Sequence, residues 1–133
     1  MASQLGYVIN ASSETFLLTN TIAGNEQPSD AANLPPNSIT KTGGADNNWI
    51  TIPDATPPDE YFTQDNIKLS NGTDNLYVYA TQGTAYWLVN SSPTKNYYGE
   101  QFANSGNYME VFLVISREDW KWRLSLFDIA TVR

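Results

Sequence analysis

The chain contains no cysteine and no histidine. Without cysteine there is no disulfide, no thiolate nucleophile and no Cys-ligated metal. Without histidine no Ser-His-Asp or Cys-His relay can form, because such a relay needs an imidazole that titrates near neutral pH. Zinc sites draw on these two residue types at short spacings, so no metal of that class is expected. Neither a glycine-rich phosphate loop nor a dinucleotide fingerprint occurs, and no cofactor is expected. Charge is also scarce, with Asp, Glu, Lys and Arg at 16% against about a quarter in ordinary domains. No apolar run approaches the ~18 residues of a membrane-spanning helix. The longest, Val111 to Ser116, has the length of a strand. The opening Met1-Ala2-Ser3-Gln4-Leu5-Gly6 has neither the basic nor the apolar region of a secretory leader. A chain without cysteine and without a leader is expected to be cytoplasmic at synthesis.

Asn, Thr and Ser take the place of charge, with 14, 13 and 11 copies. Aromatic residues reach 13%, from eight Tyr, five Phe and four Trp. That aromatic load excludes a disordered chain, and the shortage of Ala, Glu, Lys and Leu excludes a coiled coil. A length of 133 residues suits one domain, taken as residues 1–133. The net charge is −7 and lopsided: residues 1–94 hold nine acids against Lys41 and Lys68, while residues 95–133 balance five against five. Phosphate backbones and anionic leaflets repel such a chain. No nucleic-acid partner is expected.

The hydrophobic pattern repeats every two residues, the period of a half-buried strand. Candidate strands are Leu5–Asn10, Thr15–Asn20, Ser38–Thr42, Trp49–Ile52, Asn66–Ser70, Asn75–Thr81, Ala85–Asn90, Tyr108–Ser116 and Trp120–Ile129. In the last pair, Met109, Val111, Leu113 and Ile115 share one face, as do Trp120, Trp122, Leu124 and Leu126. These two predict an antiparallel hairpin that buries one face of each strand. Asn71-Gly72 and Gln82-Gly83 are turn signals that predict a meander over residues 66–90. Ile22–Pro36 and Pro53–Gln64 are rich in Pro and read as long loops, the first with room for one helical turn. The expected fold is a single antiparallel β-sandwich of about nine strands. The recurrence of Trp49, Trp87 and Trp122 at similar intervals suggests a β-trefoil as the alternative, but residues 91–107 are too few and too irregular for its extra strands.

The segment Ile9-Asn10-Ala11-Ser12-Ser13-Glu14-Thr15-Phe16-Leu17-Leu18-Thr19-Asn20 resembles the first hairpin of the aegerolysins. Leu34-Pro35-Pro36-Asn37-Ser38-Ile39 is similar to their proline-bearing turn into a third strand. Actinoporins and fungal fruiting-body lectins share the layout more loosely. The resemblance covers about the first 40 residues. It implies a sandwich that binds membrane lipids or glycans, in some members as an aid to pore formation. This chain differs from the aegerolysins in having no cysteine.

Two residue groups carry chemistry suited to sugars. Asp46, Asn47, Asn48 and Trp49 join an acid, two amides and an indole. Acid and amides bond to hydroxyls while the indole stacks on the apolar face of a ring. The same four residues would equally form a loop whose Trp enters the core. Tyr86, Tyr97 and Tyr98, near Trp87, Asn90 and Asn96, form the second group, with Tyr97–Glu100 read as a loop. Flat tyrosines there suit a glycan or a choline-type headgroup, or a loop folded onto the sandwich. Asp54, Asp59, Glu60, Asp65 and Asp74 gather around loops, but without the spacing of a calcium-binding loop. The expected function is a non-enzymatic, lectin-like recognition protein for neutral glycans or for glycolipid or phospholipid headgroups. A self-associating structural β protein, a homo-oligomer, is the second reading. A carboxylate-based glycosidase is the third.

Overall fold

The computed structural model describes residues 3–42, 50–54, 65–81, 83–89, 97–102, 109–119 and 121–128. In it the period-two segments become β1 (Ser3–Asn10), β2 (Phe16–Ile22), β3 (Asn25–Glu26), β4 (Ala32–Leu34), β5 (Ser38–Lys41), β6 (Ile50–Thr51), β7 (Asn66–Ser70), β8 (Asn75–Thr81), β9 (Thr84–Val89), β10 (Tyr97–Gln101), β11 (Met109–Glu118) and β12 (Lys121–Asp128). They form two sheets, an all-β sandwich rather than a trefoil. One sheet runs β12-β11-β1-β5, with β6 also paired to β1. The other runs β10-β9-β8-β7-β2-β3, with β4 also paired to β2.

The described residues hold twelve strands where nine were expected. The additions are β3 and β4, with two or three residues each and so too few to show a period of two, and β10, which covers residues read as a loop. The expected loop over 22–36 is instead β3, a 3₁₀ turn at Pro28–Asp30 and β4. The helical turn foreseen in that stretch is this one. Residues 55–64 of the second expected loop lie outside the described residues.

Two further expectations are corrected. The segment resembling a first hairpin is not paired with itself: β1 belongs to the smaller sheet and β2 to the larger. The chain crosses between layers there, held by Asn10, which is 1% exposed. Its amide Nδ2 donates to the carbonyls of Glu14 (2.7 Å) and Leu34 (2.9 Å), and its Oδ1 accepts from the Ser12 amide (3.1 Å) and hydroxyl (2.7 Å). Nor is the sandwich wholly antiparallel. β1 lies parallel to β11, with Val8 opposite Leu113 and Asn10 opposite Ile115. A register shift between Leu5 and Tyr7 marks a bulge at Gly6. The bulge re-phases the strand, so Leu5 and Val8, an odd number of residues apart, both enter the core.

The β11–β12 hairpin forms as expected, with Leu113 opposite Leu126 and Ile115 opposite Leu124. Val111, Leu113, Ile115, Trp122, Leu124 and Leu126 are all buried. The meander β7-β8-β9 forms too. At its first turn Asn71 Oδ1 accepts the amides of Thr73 and Asp74 while Gly72 takes φ 91°, a conformation open to glycine at little cost. Leu76, Val78, Ala80, Ala85 and Trp87 face the core with the residues of the hairpin. Phe16 meets Trp122 edge to face, ring centres 5.1 Å apart.

Candidate functional site

β9 separates the aromatic residues singled out above. Trp87 is buried in the core and donates its Nε1 to the Trp122 carbonyl at 3.2 Å, joining the two sheets. Tyr97–Gln101 is a strand, not a loop, paired with β9 so that Tyr98 lies opposite Trp87 and Tyr97 opposite Leu88. The Tyr98 ring stacks on Trp87 at 5.7 Å, and Lys121 Nζ sits 4.3 Å from the Tyr98 ring centre. Arg123 closes this corner by donating Nε to Glu100 at 2.8 Å. That bond holds the Glu100 carboxyl below its usual range, against a smaller opposing effect of burial. Tyr86 points the other way, packs with Tyr77 on buried Tyr79 and Leu88, and covers Gly99. Tyr86 and Tyr98 are therefore both half-buried, on opposite faces of the larger sheet. Asp46, Asn47, Asn48 and Trp49 lie outside the described residues.

A cleft of about 360 Å³ opens between the two sheets, lined by Asn20, Thr21, Ile22, Asp30, Ile50, Thr51, Pro53 and Asp65. Four separate segments build it. The end of β2 supplies Asn20 to Ile22, and the 3₁₀ turn supplies Asp30. β6 and the residues after it supply Ile50, Thr51 and Pro53, and Asp65 stands just before β7.

Hydrogen bonds hold these walls in place. The buried Asn20 donates Nδ2 to Asp30 Oδ2 at 2.9 Å, and its carbonyl accepts the Gln27 amide at 2.7 Å. Together these dock the 3₁₀ turn against β2. Ala23 and Gly24 adopt φ 53° and 80° in the turn between β2 and β3, and the Ala23 amide donates to Asp65 Oδ1 at 2.8 Å. Gln4 Nε2 donates to Thr51 Oγ1 at 2.9 Å, and the Pro53 carbonyl accepts the Ala80 amide at 3.1 Å.

The cleft thus offers two carboxylates, an amide and two threonine hydroxyls beside the aliphatic surfaces of Ile22 and Pro53. Among the described residues no Lys or Arg lines it. No group of three or more Asp, Glu, His or Cys suited to a metal ion occurs among the described residues. Sequence reading missed this site. Asn20 registers only as a strand end and Asp65 only as one acid among several, while Asp30 carries no motif. The turn residues Ala23-Gly24 and the Pro28 of the 3₁₀ turn are the local signals that this stretch folds back on β2. No protein-family model, curated protein or solved structure matches the chain.

Proposed function

We propose that the protein is a non-enzymatic recognition protein that binds a neutral glycan, free or as the headgroup of a glycolipid, in the cleft between the sheets. The cleft itself carries this reading. Carboxylates and an amide in fixed positions accept from and donate to vicinal hydroxyls, and directional bonds of this kind separate one sugar epimer from another. Ile22 and Pro53 offer an apolar surface for the C–H face of a ring. A volume near 360 Å³ is at the small end of ligand sites and suits a terminal sugar rather than a long chain. The two carboxylates disfavour a phosphate-bearing headgroup, which favours a sugar over a phospholipid as the ligand. Asp46-Asn47-Asn48-Trp49 runs in the chain directly into Ile50 and Thr51 of the cleft, and adds amide and indole chemistry to the reading.

The test is a glycan array, followed by titration of any glycan that binds. Asp30→Asn and Asp65→Asn should each weaken binding at least tenfold, equivalent to about 1.4 kcal/mol, and leave the fold intact. Binding should change little with salt, because a neutral ligand releases no counterions, and should survive EDTA. Loss in EDTA restored by calcium would make the cleft a cation-dependent site. Release of reducing ends from the bound glycan would make it a hydrolase. Binding unchanged in both Asn variants would place the site elsewhere.

A further inference from the structure

Asn71 is the one asparagine of the chain that is followed by glycine. Such a pair is open to a reaction that needs no enzyme. The glycine backbone nitrogen loses its proton and attacks Cγ of the asparagine side chain. Ammonia leaves, and a cyclic succinimide joins the two residues. Water then opens the ring at either carbonyl. One opening gives aspartate, the other isoaspartate, whose main chain runs through the side-chain carbons. One water enters, one ammonia departs, and nothing is oxidised or reduced. Glycine favours the attack because no Cβ shields its nitrogen. Here nothing lies within 4 Å of the place where Gly72 would carry a Cβ, and Gly72 is exposed. Water and hydroxide therefore reach the bond.

The turn between β7 and β8 holds all three reacting groups. The nucleophile, the Gly72 amide, donates to Ser70 Oγ at 3.2 Å. The oxygen of the attacked carbonyl, Asn71 Oδ1, accepts the Thr73 and Asp74 amides at 2.9 and 2.6 Å. The leaving nitrogen, Asn71 Nδ2, donates to Glu14 Oε1 at 2.7 Å. Ring closure makes Cγ tetrahedral and draws the side chain onto the Gly72 nitrogen. The planar carboxamide cannot then keep the position that these bonds fix. We propose that Asn71 is a self-modification site, a spontaneous deamidation that the intact turn slows and local opening of the turn releases. Such opening costs less than unfolding the whole chain.

The position of the turn gives the change structural reach. Glu14 belongs to the crossing between β1 and β2, where its carbonyl accepts Asn10 Nδ2. Asp74, at the other end of the turn, accepts Trp122 Nε1 from β12 at 3.0 Å. The turn is thus tied to the crossing and to the smaller sheet. Deamidation to aspartate replaces the donor facing Glu14 with an acidic oxygen. Isoaspartate also lengthens the main chain between residues 71 and 72 by one methylene.

Incubation of the whole chain at mildly alkaline pH, with peptide mapping by mass spectrometry over time, tests this. Residue 71 should convert before every other asparagine, and both aspartate and isoaspartate should appear. Conversion should be slower in the folded protein than in the same chain held in urea. Glu14→Ala and Ser70→Ala each remove one of the bonds. Each should convert about two- to fivefold faster than wild type, the weight of one typical hydrogen bond, while tryptophan fluorescence shows the variant folded. If one variant fails to fold, the other carries the comparison. Earlier conversion at another asparagine overturns the proposal, as does a residue 71 that keeps its amide in urea. Equal rates in the folded protein and in urea overturn the protective role of the turn. Folded variants that convert no faster than wild type overturn it too.

Discussion

Asn10 is the side chain on which the crossing between sheets turns, and two substitutions separate its roles. It is buried, and its amide group makes four hydrogen bonds to the Glu14 and Leu34 carbonyls and to Ser12. Asn10→Ala removes all four and takes a side-chain partner from the buried Leu34 carbonyl. Typical hydrogen bonds contribute about 1 kcal/mol net, and a buried group left unpaired costs about 1–3 kcal/mol, so the expected loss is about 3–4 kcal/mol. Asn10→Asp keeps the shape but points carboxylate oxygens at two carbonyl oxygens that now sit at 2.7 and 2.9 Å from the amide nitrogen. Burial and this repulsion both disfavour the ionised form, so the introduced carboxyl titrates above its ordinary ~3.9 in the folded state. The unfolded chain then releases its proton first. The stability deficit therefore grows as pH rises from about 4 through the raised folded value. Below about pH 4 the protonated acid donates to one carbonyl and part of the deficit returns. Urea unfolding followed by tryptophan fluorescence, with wild type and variant compared at pH 3.5 and pH 7, measures it. A deficit below about 1 kcal/mol at pH 7, or one equal at both pH values, refutes the reasoning, since one missing bond would then account for the whole effect.

Three other outcomes follow from the packing. Leu113→Ala, at a site with 0% exposure, should cost about 2–5 kcal/mol in the same unfolding assay, and a loss under half a kcal/mol would mean that β11 presents its other face to the core. Glu100→Gln should cost less than about 1 kcal/mol at pH 7, because Glu100 and Arg123 are 32% and 39% exposed and solvent screens their attraction. The Arg123 bond lowers the folded pKa of Glu100 below its ordinary 4.5. Its contribution is therefore present above that value and fades as pH falls through the lowered one, so variant and wild-type stabilities should converge in acid. Tyr98→Ala should lower stability by about 1–3 kcal/mol through loss of its stacking on Trp87. A variant with unaltered melting would show that the ring contributes nothing to the corner.

The alternation of β11 and β12 is legible because a strand's side chains alternate whatever lies beside it. Val111, Leu113 and Ile115 must share a face, as must Trp122, Leu124 and Leu126. The Asn71-Gly72 turn is equally local, since its amide amides and positive φ need only four consecutive residues. β10 is not legible in this way. Gly99 interrupts the pattern, and the strand persists because β9 pairs with it while Trp87 and Tyr86 hold its two faces.

The amino-acid sequence alone thus determined the class of fold, the main hairpin, the meander turns and the chemistry that is impossible without cysteine or histidine. Tertiary structure decided which strands became neighbours. The parallel pairing of β1 with β11 joins segments about a hundred residues apart, and no local period encodes it. Gly6 becomes a bulge only because Leu5 and Val8 both gain burial against the opposite sheet. The cleft is the clearest case: nothing local in the sequence groups Asn20, Asp30, Thr51 and Asp65, which meet when β2, the 3₁₀ turn, β6 and the residue before β7 pack together. Local periodicity follows from backbone geometry, whereas the choice of partner follows from the total surface buried by the whole chain.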